Sequence, residues 1–146
     1  MKIIDKLNSK KVTISLEIFP PKKAEGFESV KNTAMELASL HPDFISITYG
    51  AGGSTQTSTA ALASAIESAG TTALAHLTCV RSSKEQLESA LGELKSKKIE
   101  NVLALRGDKP KDAQENENLF PSGFLHASDL TRLLKENGFC VGGACY

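Results

Sequence analysis

The sequence has little of what membrane and secreted proteins usually show. Tryptophan is absent, aromatic residues make up only 5%, and the apolar runs fall well short of the roughly 20 residues that span a bilayer. The N-terminal segment has no apolar core of signal-peptide length. We therefore expect no membrane partner and a cytoplasmic location.

An excess of charge of one sign is also missing. Seventeen basic and seventeen acidic residues cancel, so there is no electrostatic basis for binding nucleic acid or an anionic membrane surface. The 146 residues are 40% hydrophobic and 23% charged, which is typical of one soluble domain. We expect a single domain over residues 1–146 and no nucleic-acid partner.

Metal-binding and disulfide patterns are equally lacking. The cysteines are Cys79, Cys140 and Cys145, an odd number without paired spacing, which argues against a disulfide scaffold. The three histidines are scattered, whereas zinc ligands usually come in closely spaced pairs. We expect no metal site.

What is present is an alternation of short strands and amphipathic helices. Strands are predicted at 12–19, 43–49, 72–79, 101–106 and 139–146. Helices are predicted at about 26–40, 57–69, 83–98 and 128–138, with Ser83 and Gln86 forming a capping box and Ser128 capping the last helix.

This order implies a parallel sheet with right-handed crossovers. A (β/α)8 barrel fits better than a Rossmann fold, because the first strand is not followed by a glycine-rich dinucleotide turn. Complete barrels usually take about 250 residues. The α/β fold predicted is therefore an incomplete (β/α)8 TIM barrel, about the first five strands and four helices.

Strand alternation places Glu17 on the inward face of the first strand. Val12, Ile14, Leu16 and Ile18 form the opposite face, suited to covering helices. Burial favours the neutral form of a carboxyl group, and a carboxyl held neutral near pH 7 can act as a general acid. An inward glutamate paired with a structural base explains the pattern equally well, so both interpretations stay open.

Other polar residues end the later strands. His76 faces inward near the carboxyl end of the third strand, where barrel active sites lie, and it is either a catalytic or a core residue. Arg106, Gly107 and Asp108 follow the fourth strand. The guanidinium of Arg106 can bind anions, Gly107 lets a ligand approach the backbone closely, and Asp108 provides a fixed negative charge. Small residues on the inner face of the fifth strand, Gly142 and Ala144, leave room for a planar cofactor.

Two connections have a distinctive composition. The turn from Gly50 to Ser54 lacks the lysine of a phosphate-binding loop, which argues against a nucleotide hydrolase. A helix-opening turn of this kind can still contact a phosphate or a ring edge. The loop from Lys109 to Leu125 is rich in charged residues and asparagine, and we predict that it is mobile.

Six segments, in order, resemble the strand-end motifs of methylenetetrahydrofolate reductases. They are SLEIFPPK (15–22), TYGAGGS (48–54), AHLTC (75–79), LRGD with Pro110 (105–110), ASDL (127–130) and ACY (144–146). The resemblance extends over residues 12–146. Each motif alone is weak, but six in order at strand ends are specific.

The resemblance implies a (β/α)8 barrel with FAD at the carboxyl ends of its strands. In this family a hydride passes from NADH or NADPH to the flavin and then to 5,10-methylenetetrahydrofolate, giving 5-methyltetrahydrofolate. By motif, Glu17 is the general acid that assists opening of the folate ring. Asp108 lies near flavin and pterin, where its charge disfavours an anionic reduced flavin and favours a cationic iminium. Both residues are therefore expected to contact the folate substrate.

The same motifs imply a set of cofactor contacts. Thr48 matches a nicotinamide-contacting position, and the flavin positions are Tyr49, Ala51, His76, Arg106, Gly107, Asp108, His126, Ala127, Ala144 and Tyr146. His126 departs from the family, which commonly has tyrosine there. The choice between NADH, NADPH and another donor stays open.

An alternative function is a non-catalytic half barrel that binds flavin or pterin weakly or serves only as an assembly partner. Five strands of a barrel leave two outer edges unpaired, and unpaired edges invite pairing with another chain. The inward face, expected to carry Phe19, Phe44, Ala104 and Ala144, would be open to water. We therefore predict self-association into a homo-oligomer.

Overall fold

A computed structural model of the chain describes residues 1–21, 23–49 and 55–144, with the backbone alone for residues 55–57. Its five strands are β1 (Ser15–Ile18), β2 (Phe44–Ile47), β3 (Thr72–Thr78), β4 (Asn101–Leu105) and β5 (Cys140–Gly143). They pair in chain order, and every pairing is parallel. The predicted α/β class, with a parallel sheet and alternating helices, is confirmed.

The helices are α1 (Ile3–Ser9), α2 (Phe27–Ala38), α3 (Thr55–Ser68), α4 (Lys84–Ser96) and α5 (Ala127–Glu136), with a 3-10 turn at Ala24–Gly26. The four crossover helices were predicted, but α1 was not. Its seven residues are too few for a stable isolated helix. The helix is held from a distance, because Asn101 Oδ1 accepts from the Ile3 amide at 2.8 Å and Asn101 Nδ2 donates to the Met1 carbonyl at 3.0 Å.

The start of the first strand differs from the prediction. Val12 and Ile14 were expected to lie under helices, but they are 73% and 62% exposed and the strand begins only at Ser15. Asp43 holds this segment instead. Its carboxylate accepts from the Ile14 amide at 3.0 Å and pairs with Lys10, and its own amide donates to the Ile14 carbonyl at 2.8 Å. These contacts lower the pKa of Asp43.

The core lies between the sheet and its helices. Ile45, Ile47, Ala73, Ala75, Leu77, Val102 and Ala104 are all 0–1% exposed and belong to the same apolar cluster as Leu62, Ile66, Leu130 and Leu134 of the helices. The expected inward position of Ala104 is wrong. Ala104 pairs in register with buried Leu77, whereas Leu103 and Leu105 are only partly buried and alternate onto the other face.

Helix capping was partly predicted. The Ser83–Gln86 capping box is present, with Ser83 Oγ accepting from the Gln86 amide at 3.3 Å. Ser128 is not the cap of α5, because that helix begins one residue earlier. The carboxylate of Asp129 reaches back and accepts from the amides of Leu125 and the N-cap residue His126, both at 3.1 Å. It thereby pairs amides at the start of the helix that have no partner within the helix.

Candidate active site

A cavity of about 920 Å³ opens at the carboxyl ends of the strands. Among the residues predicted to bind cofactor, Thr48, Tyr49, His76, Arg106, Gly107, Asp108, His126, Ala127 and Ala144 line it. Ala51 and Tyr146, as well as the turn at residues 50–54, lie outside the described residues. The fold thus gathers positions that are nearly 100 residues apart in sequence into one cavity, because the carboxyl ends of parallel strands meet at the same edge of the sheet.

Beside this cavity, three neighbouring strands bring Glu17, Ser46 and His76 together. The Ser46 hydroxyl lies 3.1 Å from Glu17 Oε2 and 2.6 Å from His76 Nε2. Ser46 pairs in register with Glu17 and is 7% exposed. The sequence analysis missed Ser46. Because side chains alternate along a strand, the sequence predicts that Ser46 and Thr48 lie on the same face of β2. The sequence does not predict the strand register that places Ser46 beside Glu17.

Burial differs sharply between the two ionisable members of this group. His76 is 8% exposed, and burial lowers the pKa of its imidazole while the charge of Glu17 opposes that effect. The side chain of Glu17 is 49% exposed, so the burial expected from its strand position is wrong for this chain. The cause is that β1 is an edge strand, flanked within the described sheet by β2 alone.

Gly107 is required by the backbone at the end of β4. Its φ is +87°, and a Cβ placed there would lie 2.4 Å from Val80 Cγ1. Arg106 and Asp108 flank this glycine, and both are exposed. The Arg106 Nε donates to the Gly107 carbonyl at 3.3 Å. One positive and one negative side chain, two positions apart in the sequence, therefore line the cavity at this point.

The charged loop that was predicted to be mobile is anchored to the β3–α4 connection. Arg81 donates from Nε and Nη2 to the two carboxylate oxygens of Glu117 at 2.6 and 3.0 Å, and from Nη1 to Asp112 at 3.1 Å. The Arg81 amide also donates to the Leu119 carbonyl at 2.7 Å. The guanidinium lowers the pKa of Glu117. Arg81 holds a φ of +56°, a disfavoured region for a non-glycine residue.

The residues present suit a flat, anionic cofactor. The volume of the cavity lies within the usual range for small-molecule sites. Gly142, which was expected to leave room for a planar cofactor, is not among the residues that line the cavity, and its missing side chain accommodates Leu103, since a Cβ there would lie 3.1 Å from Leu103 Cδ1. The guanidinium of Arg106 offers paired donors for phosphate.

The thiol of Cys79 is less suited to chemistry, because burial raises its pKa and nucleophilic attack needs the thiolate.

The part of the chain that the structure describes contains neither a metal-binding cluster nor a membrane-spanning helix. No group of three or more histidine, cysteine, aspartate or glutamate side chains is placed to hold a metal ion. No described helix is both long enough and apolar enough to cross a membrane.

A parallel α/β sheet with polar side chains converging at the carboxyl ends of its strands is the architecture of barrel enzymes. The chain matches the profile of the methylenetetrahydrofolate reductase family over residues 2–146. It therefore belongs to the methylenetetrahydrofolate reductase family, and the sheet is part of that family's barrel.

Individual relatives agree with this assignment. Methylenetetrahydrofolate reductase 1 of Schizosaccharomyces pombe is 37% identical over 100% of the chain and 25% of its own length. Methylenetetrahydrofolate reductase (NADH) 1 of Arabidopsis thaliana is 37% identical over 92% of the chain and 24% of its own length. The 5,10-methylenetetrahydrofolate reductase of Pectobacterium carotovorum is 34% identical over 93% of the chain and 44% of its own length. The chain thus spans 24–44% of the length of these relatives.

Proposed function

We propose that this chain supplies the first part of the active site of a reductase that converts 5,10-methylenetetrahydrofolate to 5-methyltetrahydrofolate. The observation that carries the proposal is the position of Glu17, Ser46 and His76 beside the cavity that Arg106 and Asp108 border, in a chain of this family. FAD is the proposed cofactor, and NADH or NADPH the proposed donor. The cytoplasmic location stays a prediction.

Each proposed contact comes from the family motifs and is supported by the presence of its residue in the lining of the cavity. Thr48 would meet the nicotinamide. Tyr49, His76, Gly107, His126, Ala127 and Ala144 would surround the flavin, and Arg106 would meet its phosphates. Bound FAD would supply hydride transfer. The residues of this chain would orient the reactants, donate protons to them and stabilise the charges that develop on them.

Glu17 is proposed as the general acid. Its carboxyl group would donate a proton to the folate nitrogen that leaves when the five-membered ring opens. The carboxylate that remains is stabilised by the hydrogen bond from Ser46 at 3.1 Å, because a charged acceptor strengthens such a bond. Asp108, exposed at the rim, would stabilise the cationic iminium carbon of the opened substrate.

Glu17→Gln tests this proposal in a reductase that contains the chain. Folate reduction should fall at least about a hundredfold, the lower range for a positioned acid, while oxidation of the reduced nicotinamide by an artificial acceptor stays nearly unchanged. Glu28→Gln, on the exposed surface of α2, is the matched control. A parallel loss of both half-reactions would show that Glu17 is structural.

Asp108→Asn tests the electrostatic role. Removing a negative charge beside the flavin should make reduction easier and raise the midpoint potential, as measured by redox titration. Glu115→Gln is the matched control, because Glu115 is exposed, lies in the same loop and does not line the cavity. A potential that is unchanged or lower would place Asp108 away from the flavin ring.

A second candidate concerns the chain on its own. Val12 and Ile14 before the edge strand β1 and Phe19 after it are 73%, 62% and 69% exposed, and exposed apolar surface of this kind usually marks an association surface. We propose that residues 1–146 alone self-associate and bind FAD weakly.

Light scattering after size-exclusion chromatography, with a visible absorption spectrum, tests this second candidate. Replacing Val12 and Ile14 with lysine should shift the protein toward monomer, since edge lysines oppose strand pairing. A stable yellow monomer of the unmodified chain would contradict both parts.

A further inference from the structure

The hydroxyl of Ser46 lies between two groups that do not touch each other directly. Ser46 Oγ is 2.6 Å from His76 Nε2 and 3.1 Å from Glu17 Oε2, whereas Nε2 and Oε2 are 3.7 Å apart. A separation of 3.7 Å is too long for a hydrogen bond. His76 and Glu17 therefore share no direct hydrogen bond, and the Ser46 hydroxyl is within hydrogen-bond distance of both.

A count of hydrogens restricts this group to two arrangements. An ionised Glu17 only accepts, so the single hydroxyl hydrogen of Ser46 goes to Glu17, and the short contact to His76 requires an Nε2–H donor. A protonated Glu17 can donate to Ser46 Oγ. The Ser46 hydrogen then points at Nε2, and the hydrogen of a neutral imidazole is on Nδ1.

We propose that Ser46 is a proton relay that reloads Glu17 from His76 after each turnover. This proposal rests on the proposed role of Glu17 as general acid. A proton from water binds Nδ1 of His76. The Nε2–H bond breaks as an O–H bond forms on Ser46, and the original O–H bond of Ser46 breaks as a new one forms on Glu17 Oε2. The result is a neutral imidazole protonated at Nδ1, an intact hydroxyl and a neutral carboxyl group. Before the next turnover, Nδ1 releases its hydrogen to water and Nε2 takes one up from water, which restores the starting tautomer.

The surroundings of His76 suit a transient proton carrier. Burial lowers the pKa of the imidazole, so a proton taken up at Nδ1 is readily passed on. The negative charge of Glu17, at the other end of the relay, acts in the opposite direction and raises the pKa of His76. The other charged or titratable side chains that line the adjoining cavity are Tyr49, Arg81, Arg106, Asp108, Lys109, Lys111 and His126.

Nitrogen-15 NMR of the 1–146 chain tests the hydrogen-bond arrangement without requiring activity. At a pH where Glu17 is ionised, we expect His76 to carry its hydrogen on Nε2, with a downfield proton resonance from the short bond to Ser46. Ser46→Thr, which keeps a hydroxyl, should preserve this resonance, and Ser46→Ala should abolish it. The backbone amide spectrum checks that each variant is folded. A bare Nε2 in the unmodified chain, or an unchanged resonance in Ser46→Ala, would overturn the relay.

Kinetics in a reductase that contains the chain separate a relay from a purely structural serine. With Glu17 protonated before mixing, Ser46→Ala should slow the first folate turnover only by the loss of the hydrogen bond that stabilises the Glu17 carboxylate. In later turnovers, the steady-state rate of folate reduction by Ser46→Ala should fall at least about tenfold, which is part of the loss expected when a general acid is removed. Ser46→Thr, which keeps the hydroxyl, should retain the rate of the unmodified enzyme. Equal loss in the first and later turnovers would contradict the relay. If Glu17→Gln itself has no effect, the proposed function fails instead.

Discussion

The two faces of the sheet differ in the chemistry of their side chains. On β2, Ile45 and Ile47 are fully buried under helices, and between them Ser46 points to the opposite face, where it contacts Glu17 and His76. On β3, Ala75 and Leu77 alternate with His76 and Thr78 in the same way. One face is uniformly aliphatic, and the other carries hydroxyl, imidazole and carboxyl groups.

The comparison shows that one strand can stabilise the fold with the side chains on one face and position functional groups with those on the other. The aliphatic face removes apolar surface from water, worth about 1.5–3 kcal/mol for a fully buried large side chain. The polar face is tolerated because its groups pair with one another. Among the described residues, no buried side-chain nitrogen or oxygen lacks a hydrogen-bond partner. Changes on the two faces should therefore have different consequences.

The largest effect is expected from Ile45→Ala on the helix-facing side. The isoleucine is 0% exposed, so the substitution should lower the free energy of unfolding by about 2–5 kcal/mol through lost burial and a cavity. Glu17→Gln, on the open face of the adjacent strand, should change it by less than about 0.5 kcal/mol. Urea unfolding followed by circular dichroism measures both. Similar losses for the two variants would remove the distinction between the faces.

Gly107→Ala should have an intermediate effect. A φ of +87° and a Cβ only 2.4 Å from Val80 should together cost about 1–3 kcal/mol, with a shift of the Arg106–Asp108 segment. Gly92→Ala in α4 is the matched control, because nothing lies within 4 Å of its Cβ position, and alanine there should stabilise the helix by about 0.5–1 kcal/mol. Unfolding midpoints of the pair give the comparison. A neutral Gly107→Ala would mean that the loop accommodates a side chain.

The smallest effect is expected from Arg81→Met. Global stability should change little, but amide hydrogen exchange between Asp112 and Leu119 should accelerate severalfold, because the side-chain anchor is lost. Arg132→Met, on the exposed side of α5, is the control. Unchanged exchange in that segment would show that backbone contacts alone hold the loop.

Acid should loosen the same loop in the unmodified chain. Arg81 depresses the pKa of Glu117, so the anchor is fully present above the ordinary glutamate pKa and is lost as the pH falls through the lowered value. Hydrogen exchange measured on descending pH, corrected for intrinsic rates, should show this loss in unmodified protein and not in Arg81→Met.

Much of the fold was predictable because its signals are local. Hydrophobic periodicity located the strands and crossover helices, the Ser83–Gln86 pair located one helix start, and Gly107 marked a special backbone position. The order of the strand-end motifs was enough to identify the family. Such features depend on residues only a few positions apart, so the sequence displays them directly.

The remaining features depended on pairings between distant parts of the chain. Helix α1 exists through Asn101, the charged loop is fixed through Arg81, and Val12 lies exposed where a covered strand was expected. Above all, the strand register sets Ser46 level with Glu17 and within reach of His76. A shift of one residue would turn Ser46 to the other face of the sheet. Only tertiary packing chooses between registers, so the chemistry of this group was decided by the folded structure.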